Sequence, residues 1–415
     1  MYDSPLQEAH LRVLKRLLDH RVDAARRAAT VRGEDSERDA LQAGGTLETV
    51  PWGVTGEESV PVCEVVLDYG ELEAEYAALR RGSAIFDRPD RAVVELRGPD
   101  AADLIDRLVT NAVPGTSFGS NAFLLERTGR IVADLRVLQT APDRILLEMD
   151  RCDEPQVRSR VESFIFAEDV VVATLAETHH RIDVVGPDAP AAVEALLGRP
   201  VASGPASIDL ENGPIEVFPL DLADLGDINE PSFAMLLTRD NAEQTWDRML
   251  EHAPPGRRPS RAIGWNAFNI GRIEAGKPLF HVDFGPDATP HETGLLDSRV
   301  SFKKGCYPGQ EVVARLQARA RGAGRRMVVG LRIEAAALPV AGAQVFDAEA
   351  GVSQQVGLVT SSTVSPIRGA VPIAFANVKA SHRQPGTRVL VNAEGETVEA
   401  TTTDLSFEIP ADSES

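Results

Sequence analysis

The chain has 415 residues, enough to bury a large core and to divide into two or three domains. Its 43% hydrophobic and 26% charged content is that of a soluble globular protein, and no apolar run is long enough to span a bilayer. A formal charge of −20 argues against general nucleic-acid binding, which rests on neutralising phosphates. Arginine greatly outnumbers lysine, a balance that fits either a high-salt cytoplasm or a GC-rich genome and bears on solubility rather than fold. Three scattered cysteines, Cys63, Cys152 and Cys306, make no disulfide framework, no signal peptide opens the chain, and a reducing cytoplasm is the expected setting.

Taken in chain order, residues 4–31 form the first expected element, an amphipathic helix. Ser4 is placed to cap it, Pro5 suits its first position and Gln7 completes a capping box. Leu11, Leu14, Leu17, Leu18 and Val22 recur at helical spacing, so the helix is expected to pack on its own domain rather than on a partner. Residues 1–46 are read as this arm and a polar linker.

Residues 47–178 read as a first α+β domain, with a helix over 72–81, a strand over 92–96 and a helix over 100–109. Strands follow over 122–125, 131–138 and 144–149, then a helix near 154–166. Residues 179–320 read as a second α+β domain. Its run Ile182-Asp183-Val184-Val185-Gly186-Pro187-Asp188-Ala189 echoes the strand, Gly98-Pro99-Asp100-Ala101 turn and helix of the first, a weak internal repeat. Residues 321–408 carry six short strand patterns and read as a small β-barrel, and 409–415 as an acidic, disordered tail. The expected class is α+β: two related antiparallel-sheet and helix domains, then the barrel.

The most distinctive chemistry lies in Lys303-Lys304-Gly305-Cys306-Tyr307-Pro308-Gly309-Gln310-Glu311-Val312-Val313-Ala314-Arg315. It sets one thiol in a glycine-flanked turn between cations, which stabilise the reactive thiolate. Gly305 and Gly309 both permit unusual backbone shapes. A buried cysteine in an ordinary turn is the competing reading.

This string resembles the K-G-C-Y-x-G-Q-E signature of the YgfZ-type folate-binding proteins, relatives of the glycine-cleavage T protein (aminomethyltransferase). Weaker pieces agree in order: Ala84-Ile85-Phe86-Asp87, Gly98-Pro99-Asp100-Ala101 with Leu108-Val109-Thr110-Asn111, Gly129 to Leu135, Arg272-Ile273-Glu274-Ala275-Gly276-Lys277-Pro278, and Pro290 to Leu295. The likeness covers roughly residues 50–408. It implies three domains in a ring around a central channel that binds tetrahydrofolate or a derivative.

A pterin ring presents a paired donor edge that one carboxylate can accept, and Glu274 is the candidate for it, against a surface or capping glutamate. Arg272, from the same motif, and Lys304, Tyr307, Gln310, Glu311 and Arg315, from the signature, are the further candidates around the folate. Lys303, Lys304 and Arg315 are the cations expected to meet the ligand's anionic tail. Cys306 and Asp134 are the candidates for chemistry.

One departure bears on mechanism. Where aminomethyltransferases carry adjacent aspartates, this chain has Ala133-Asp134. Neighbours in a strand face opposite ways, and the sequence leaves open which of the two faces the channel. With the degraded element Ile228 to Ala234, this favours the YgfZ-type branch, whose members support assembly or repair of iron–sulfur clusters and have been linked to tRNA modification. Aminomethyl transfer from a lipoyl carrier protein to tetrahydrofolate is the alternative, and a non-catalytic folate sensor a third. Iron–sulfur client enzymes or assembly proteins are the expected partners, with no membrane and no nucleic acid. His291-Glu292 starts like a zinc motif but lacks the second histidine, His179-His180 reads as a surface pair, and no metal ligand set is expected.

Overall fold

The computed structural model describes residues 1–32, 46–55, 60–113, 119–201, 205–210, 213–220, 226–318 and 325–407. The polar linker over 33–45 and the acidic tail lie outside the described residues. The chain is α+β with two larger sheets, a two-stranded hairpin and a closed six-stranded barrel. It forms two compact units, one from residues 1–92, 176–220 and 230–268, the other from 93–175, 221–229 and 269–415. Neither unit is a continuous stretch, because the strand Ala84–Asp87 pairs with His179–Val185 and Arg261–Ile263 rather than with its sequence neighbours.

In the first unit the sheet runs Ala206–Leu210, Gly213–Pro219, Ser232–Thr238, His179–Val185, Ala84–Asp87, Arg261–Ile263. Antiparallel pairing was expected throughout. The last pair is parallel, so the sheet is mixed. One face carries Ile85, Ile182, Val184, Val217 and Met235 into a core closed by Val193 and Leu196 of the helix Ala189–Leu197 and Trp246 and Met249 of the helix Arg239–Glu251.

The arm forms the helix Gln7–Arg32, and Leu6, Ala9 and Leu14 are buried against the same unit. Ser4 Oγ accepts from the Leu6 amide and donates to Asp87 Oδ2 at 2.7 Å. Asp87 also takes His10 Nε2 at 2.8 Å and His180 Nε2 at 2.5 Å. His180 is therefore a core residue, 1% exposed, and not the surface histidine expected from a strand edge: its strand is interior to the sheet.

The second unit's sheet runs Ser120–Leu125, Ile131–Ala141, Arg144–Asp150, Arg91–Arg97, Val171–Thr174. Its helix-covered face packs Leu124, Ala133, Leu135 and Leu147 on Leu104 and Ile105 of the helix Ala101–Asp106 and on Val157 and Val161 of the helix Glu154–Glu162. Both helices are shorter than their sequence patterns. The other face buries Phe123, Leu125 and Ile131 with Ile273, Phe280, Tyr307, Val313, Val328 and Phe375. The barrel closes in the order Arg326–Ile333, Val371–Lys379, Gln355–Ser365, Gln344–Asp347, Arg388–Ala393, Glu396–Thr403.

The repeat seen in the sequence holds at backbone level. Gly98 (φ 143°) and Gly186 (φ 120°) each end a strand, and each carbonyl accepts from the amide three residues on, Ala101 at 3.1 Å and Ala189 at 2.9 Å. A side chain is excluded at both: a Cβ would meet the Asp169 carbonyl oxygen at 1.9 Å or that of Gly82 at 2.5 Å.

Candidate functional site

Register decides the question left open at Ala133-Asp134. Ala133 pairs with Leu124 and Asp134 with Phe123. Ala133 is fully buried in the helix-covered core, so the residue missing from the aspartate pair lies at a position that faces apolar packing. Asp134 lies on the other face, half-buried beside Phe123.

Arg299, which no sequence signal singled out, holds that carboxylate: Nε lies 2.9 Å from Oδ1 and Nη2 3.4 Å from Oδ2. The segment carrying Arg299 is in turn fixed by the Leu108–Asn111 motif. Thr110 Oγ1 donates to the Arg299 carbonyl at 2.7 Å and accepts from the Phe123 amide at 2.8 Å. Asn111 Nδ2 donates to the carbonyls of Asn121 and Ser298. A motif that reads as a helix end is a clamp that sets Arg299 against Asp134.

The signature loop divides by residue. Cys306 is exposed, as are Lys303, Glu311 and Arg315, while Gln310 is half-buried at the start of the helix Gln310–Ala318. Tyr307 is buried, 6% exposed, and desolvation pushes its hydroxyl up to about 12, so it serves as the loop's apolar anchor. Lys304 does not point into open space. Its side chain is 3% exposed, and its ammonium meets the Asp106 carbonyl oxygen, Asp106 Oδ1 at 3.2 Å, and the carbonyls of Val109 and Asn111 at 2.9 Å each. Burial pulls it below the usual lysine range against the opposing effect of Asp106. An ammonium has three donors, and these acceptors use them.

Gly309 needs to be glycine: its φ is +82°, and a Cβ would lie 2.5 Å from the Glu126 carbonyl oxygen. Gly305 has neither constraint, because φ is ordinary and nothing lies within 4 Å. The sequence reading that gave both glycines special backbone roles holds for Gly309 alone.

Glu274 ends the helix Trp265–Glu274 and is 5% exposed. Ser365 Oγ donates to its Oε1 at 2.5 Å. This is neither a surface glutamate nor an N-terminal cap. A buried carboxylate at a helix C-terminus works against both desolvation and the helix dipole. Arg272, two residues earlier, is fully buried. Its guanidinium lies 2.7 Å from both Asp283 Oδ2 and Ser361 Oγ and 2.9 Å from Asn269 Oδ1. It ties the helix to the barrel strand Gln355–Ser365 and offers no open face to a ligand.

Asp134, Tyr307 and the helix bearing Arg272 and Glu274 thus share one side of the second sheet, packed through Phe123, Ile273 and Tyr307. A cavity of about 790 Å³ opens on the barrel between Arg332, Ile333, Pro372 and Phe407. None of the candidate site residues lines it.

The GCVT N-terminal domain matches residues 63–304, and the glycine cleavage T-protein C-terminal barrel domain matches residues 326–407. The chain belongs to the glycine cleavage T-protein family. Within the family, it is 27% identical over 327 residues to an aminomethyltransferase of Streptomyces avermitilis, covering 78% of this chain and 86% of that protein. It is 25% identical over 363 residues to an aminomethyltransferase of Corynebacterium jeikeium, covering 83% and 90%. The crystal structure of the glycine cleavage system aminomethyltransferase T from Bartonella henselae shares the fold, with a TM-score of 0.72 at 21% identity over 90% of this chain and 96% of that one. No described helix is long and apolar enough to cross a membrane.

Proposed function

We propose that this T-protein family member is a tetrahydrofolate-dependent aminomethyltransferase. The observation that carries the reading is the facing of Ala133 and Asp134. The alanine stands where the chain needs apolar packing, and the retained aspartate, oriented by Arg299, stands on the face shared with Tyr307 and the Glu274 helix. The residues suit a pterin: Glu274 is a buried carboxylate in a position that structural stability alone does not favour. When bound, tetrahydrofolate supplies the secondary amine that accepts a one-carbon unit. Glu274 would take the paired donor edge of the pterin. Asp134 would hold a negative charge where the departing amine becomes cationic.

The test is a reconstituted assay with an aminomethyl-loaded lipoyl carrier protein and tetrahydrofolate, following ammonia release. Wild type turns over and Asp134→Asn is slower by about 10²-fold or more. Soluble, folded wild-type protein that binds folate without turnover sinks the transfer reading.

A second reading, a YgfZ-type role in iron–sulfur maintenance, is favoured by one observation: Cys306 is exposed on a loop whose shape is fixed by the signature residues Lys304, Tyr307 and Gly309. Complementation of a strain lacking its YgfZ-type protein, read by an iron–sulfur enzyme's activity, tests it. Rescue by wild type but not by Cys306→Ala supports this reading, and equal rescue by both removes the thiol from it.

A further inference from the structure

Three donor groups that are not among the candidate folate residues converge where the sequence shows no pattern. Cys152 and Asp153 lie in the short 3-10 turn Arg151–Asp153 that follows the strand Arg144–Asp150. His281 comes from a loop 128 positions later in the chain. Thiol sulfur, carboxylate oxygen and imidazole nitrogen all lie within 4.8 Å of one another. His281 Nε2 stands 3.0 Å from each oxygen of Asp153, and Cys152 Sγ stands 4.0 Å from Oδ1.

The cluster is held in place from outside. Asp153 is 2% exposed, and Gln156 Nε2 bonds its Oδ1 at 3.0 Å and the Val132 carbonyl at 3.2 Å, which fixes the carboxylate's direction. His281 has φ +66°, a conformation uncommon outside glycine. Its surroundings impose that shape. Its amide donates to the Phe284 carbonyl at 2.8 Å, its ring lies 4.0 Å from that of Phe280, and the buried Asp283 anchors the turn through Arg272 and the Leu279 amide. Strained residues persist where neighbouring structure over-determines them, and an observed outlier of this kind is a pointer to function. The imidazole side chain remains 30% exposed, so the cluster opens to solvent on one side.

We propose that Cys152, Asp153 and His281 form a binding site for one divalent ion of the zinc class, with three protein ligands and a water in the fourth position. Sulfur, imidazole and carboxylate together suit zinc, whereas magnesium and calcium take oxygen alone. Tetrahedral zinc with its usual bond lengths sets ligand atoms about 3.3–3.6 Å apart. The 3.0 Å and 4.0 Å separations bracket that range, so small side-chain rotations suffice. Gln156 then acts behind Asp153 as metal sites use their outer partners, keeping a ligand in one orientation. The ion would join the end of the strand Arg144–Asp150 to the loop that follows the Arg272–Pro278 motif, and it would do so whether or not the folate reading stands.

The experiment uses the full chain, dialysed against chelator and then titrated with Zn²⁺ and, separately, Co²⁺. Wild type takes up one Zn²⁺ per chain, and its Co²⁺ form shows thiolate-to-metal charge-transfer absorption. Cys152→Ser and His281→Ala each weaken uptake tenfold or more, and Cys152→Ser loses the absorption. Cys306→Ser, which changes the exposed thiol, keeps both. Should His281→Ala fail to fold by circular dichroism, Cys152→Ser decides alone. No uptake by wild type, equal uptake by Cys152→Ser, or loss in Cys306→Ser instead would each overturn the site and leave a His281–Asp153 ion pair beside a thiol.

Discussion

Arg299 grips Asp134 with two guanidinium nitrogens, at 2.9 Å and 3.4 Å, across 165 positions of sequence. The pair joins the end of the short helix Leu296–Arg299 to the strand Ile131–Ala141 and gives the remaining aspartate a single direction. Arg299→Ala should therefore lower aminomethyl transfer less than Asp134→Asn. The expected losses in kcat are roughly tenfold for the first and about 10²-fold or more for the second, the scale of a lost acid–base or charge-stabilising group. Equal activity of Asp134→Asn and wild type would remove Asp134 from the chemistry.

Restoring the second aspartate should not help. Ala133→Asp places an unpaired carboxylate in a fully buried apolar cluster with Leu124, Leu135 and Leu147. The expected result is destabilisation on the order of 3 kcal/mol with no gain in turnover. Urea denaturation alongside the transfer assay checks both halves, and a more active variant would show that residue 133 reaches the reacting face.

Among the three thiols, Cys306 should react first with a disulfide reagent, since Cys63 is buried and Cys152 half-buried. Cys306→Ala should leave the thermal midpoint within measurement error and remove the fast phase of thiol modification. A fast phase that survives the substitution assigns it to Cys152.

The two signature glycines should part company. Gly309→Ala faces both φ +82° and the Glu126 carbonyl oxygen, and is expected to destabilise the unit by about 1–3 kcal/mol. Gly305→Ala, with open space around it, should stay within about 0.5 kcal/mol of wild type. Matching thermal shifts for the two would contradict the close approach at Gly309.

Acid should release the N-terminal helix. Burial alone would raise Asp87, but the charge of His180 and the hydrogen bonds from His10 and His180 outweigh it and hold the carboxyl well below its ordinary 3.8. A carboxyl depressed on folding contributes stability that is complete above its unfolded value and is lost as pH falls through the folded one. Stability should thus fall below about pH 4 with a component that Asp87→Asn lacks. Denaturant midpoints of both proteins across pH 2–6 give the comparison, and parallel curves would take Asp87 out of the acid response.

Barrel strands and the Gly-Pro-Asp-Ala repeat were legible in the sequence because they rest on local rules: alternation of apolar residues, and a backbone shape only glycine adopts at Gly98 and Gly186. The roles of charged residues were not legible in the same way. Lys304 reads as a cation for an anionic ligand, yet its acceptors come from Asp106, Val109 and Asn111, nearly two hundred positions upstream. Arg272 sits in a recognisable motif, but only the fold shows that Asp283 and Ser361 enclose it. His180 reads as a surface residue until the sheet order places its strand between two others. Cys152 and Asp153 are neighbours, but His281 lies 128 positions further on, so nothing short of the fold brings the three together.

The interleaving of the first unit sets a schedule for synthesis. As the chain leaves the ribosome, the strand Ala84–Asp87 must wait for His179–Val185 on one side and for Arg261–Ile263 on the other. Until residue 263 has emerged, that sheet presents an incomplete apolar edge, the kind of surface on which nascent chains aggregate. Premature termination anywhere between residues 93 and 260 therefore yields a product lacking a finished sheet rather than a smaller stable domain. Expression of this protein should depend more on chaperone supply and elongation rate than that of a chain whose domains follow one another in order.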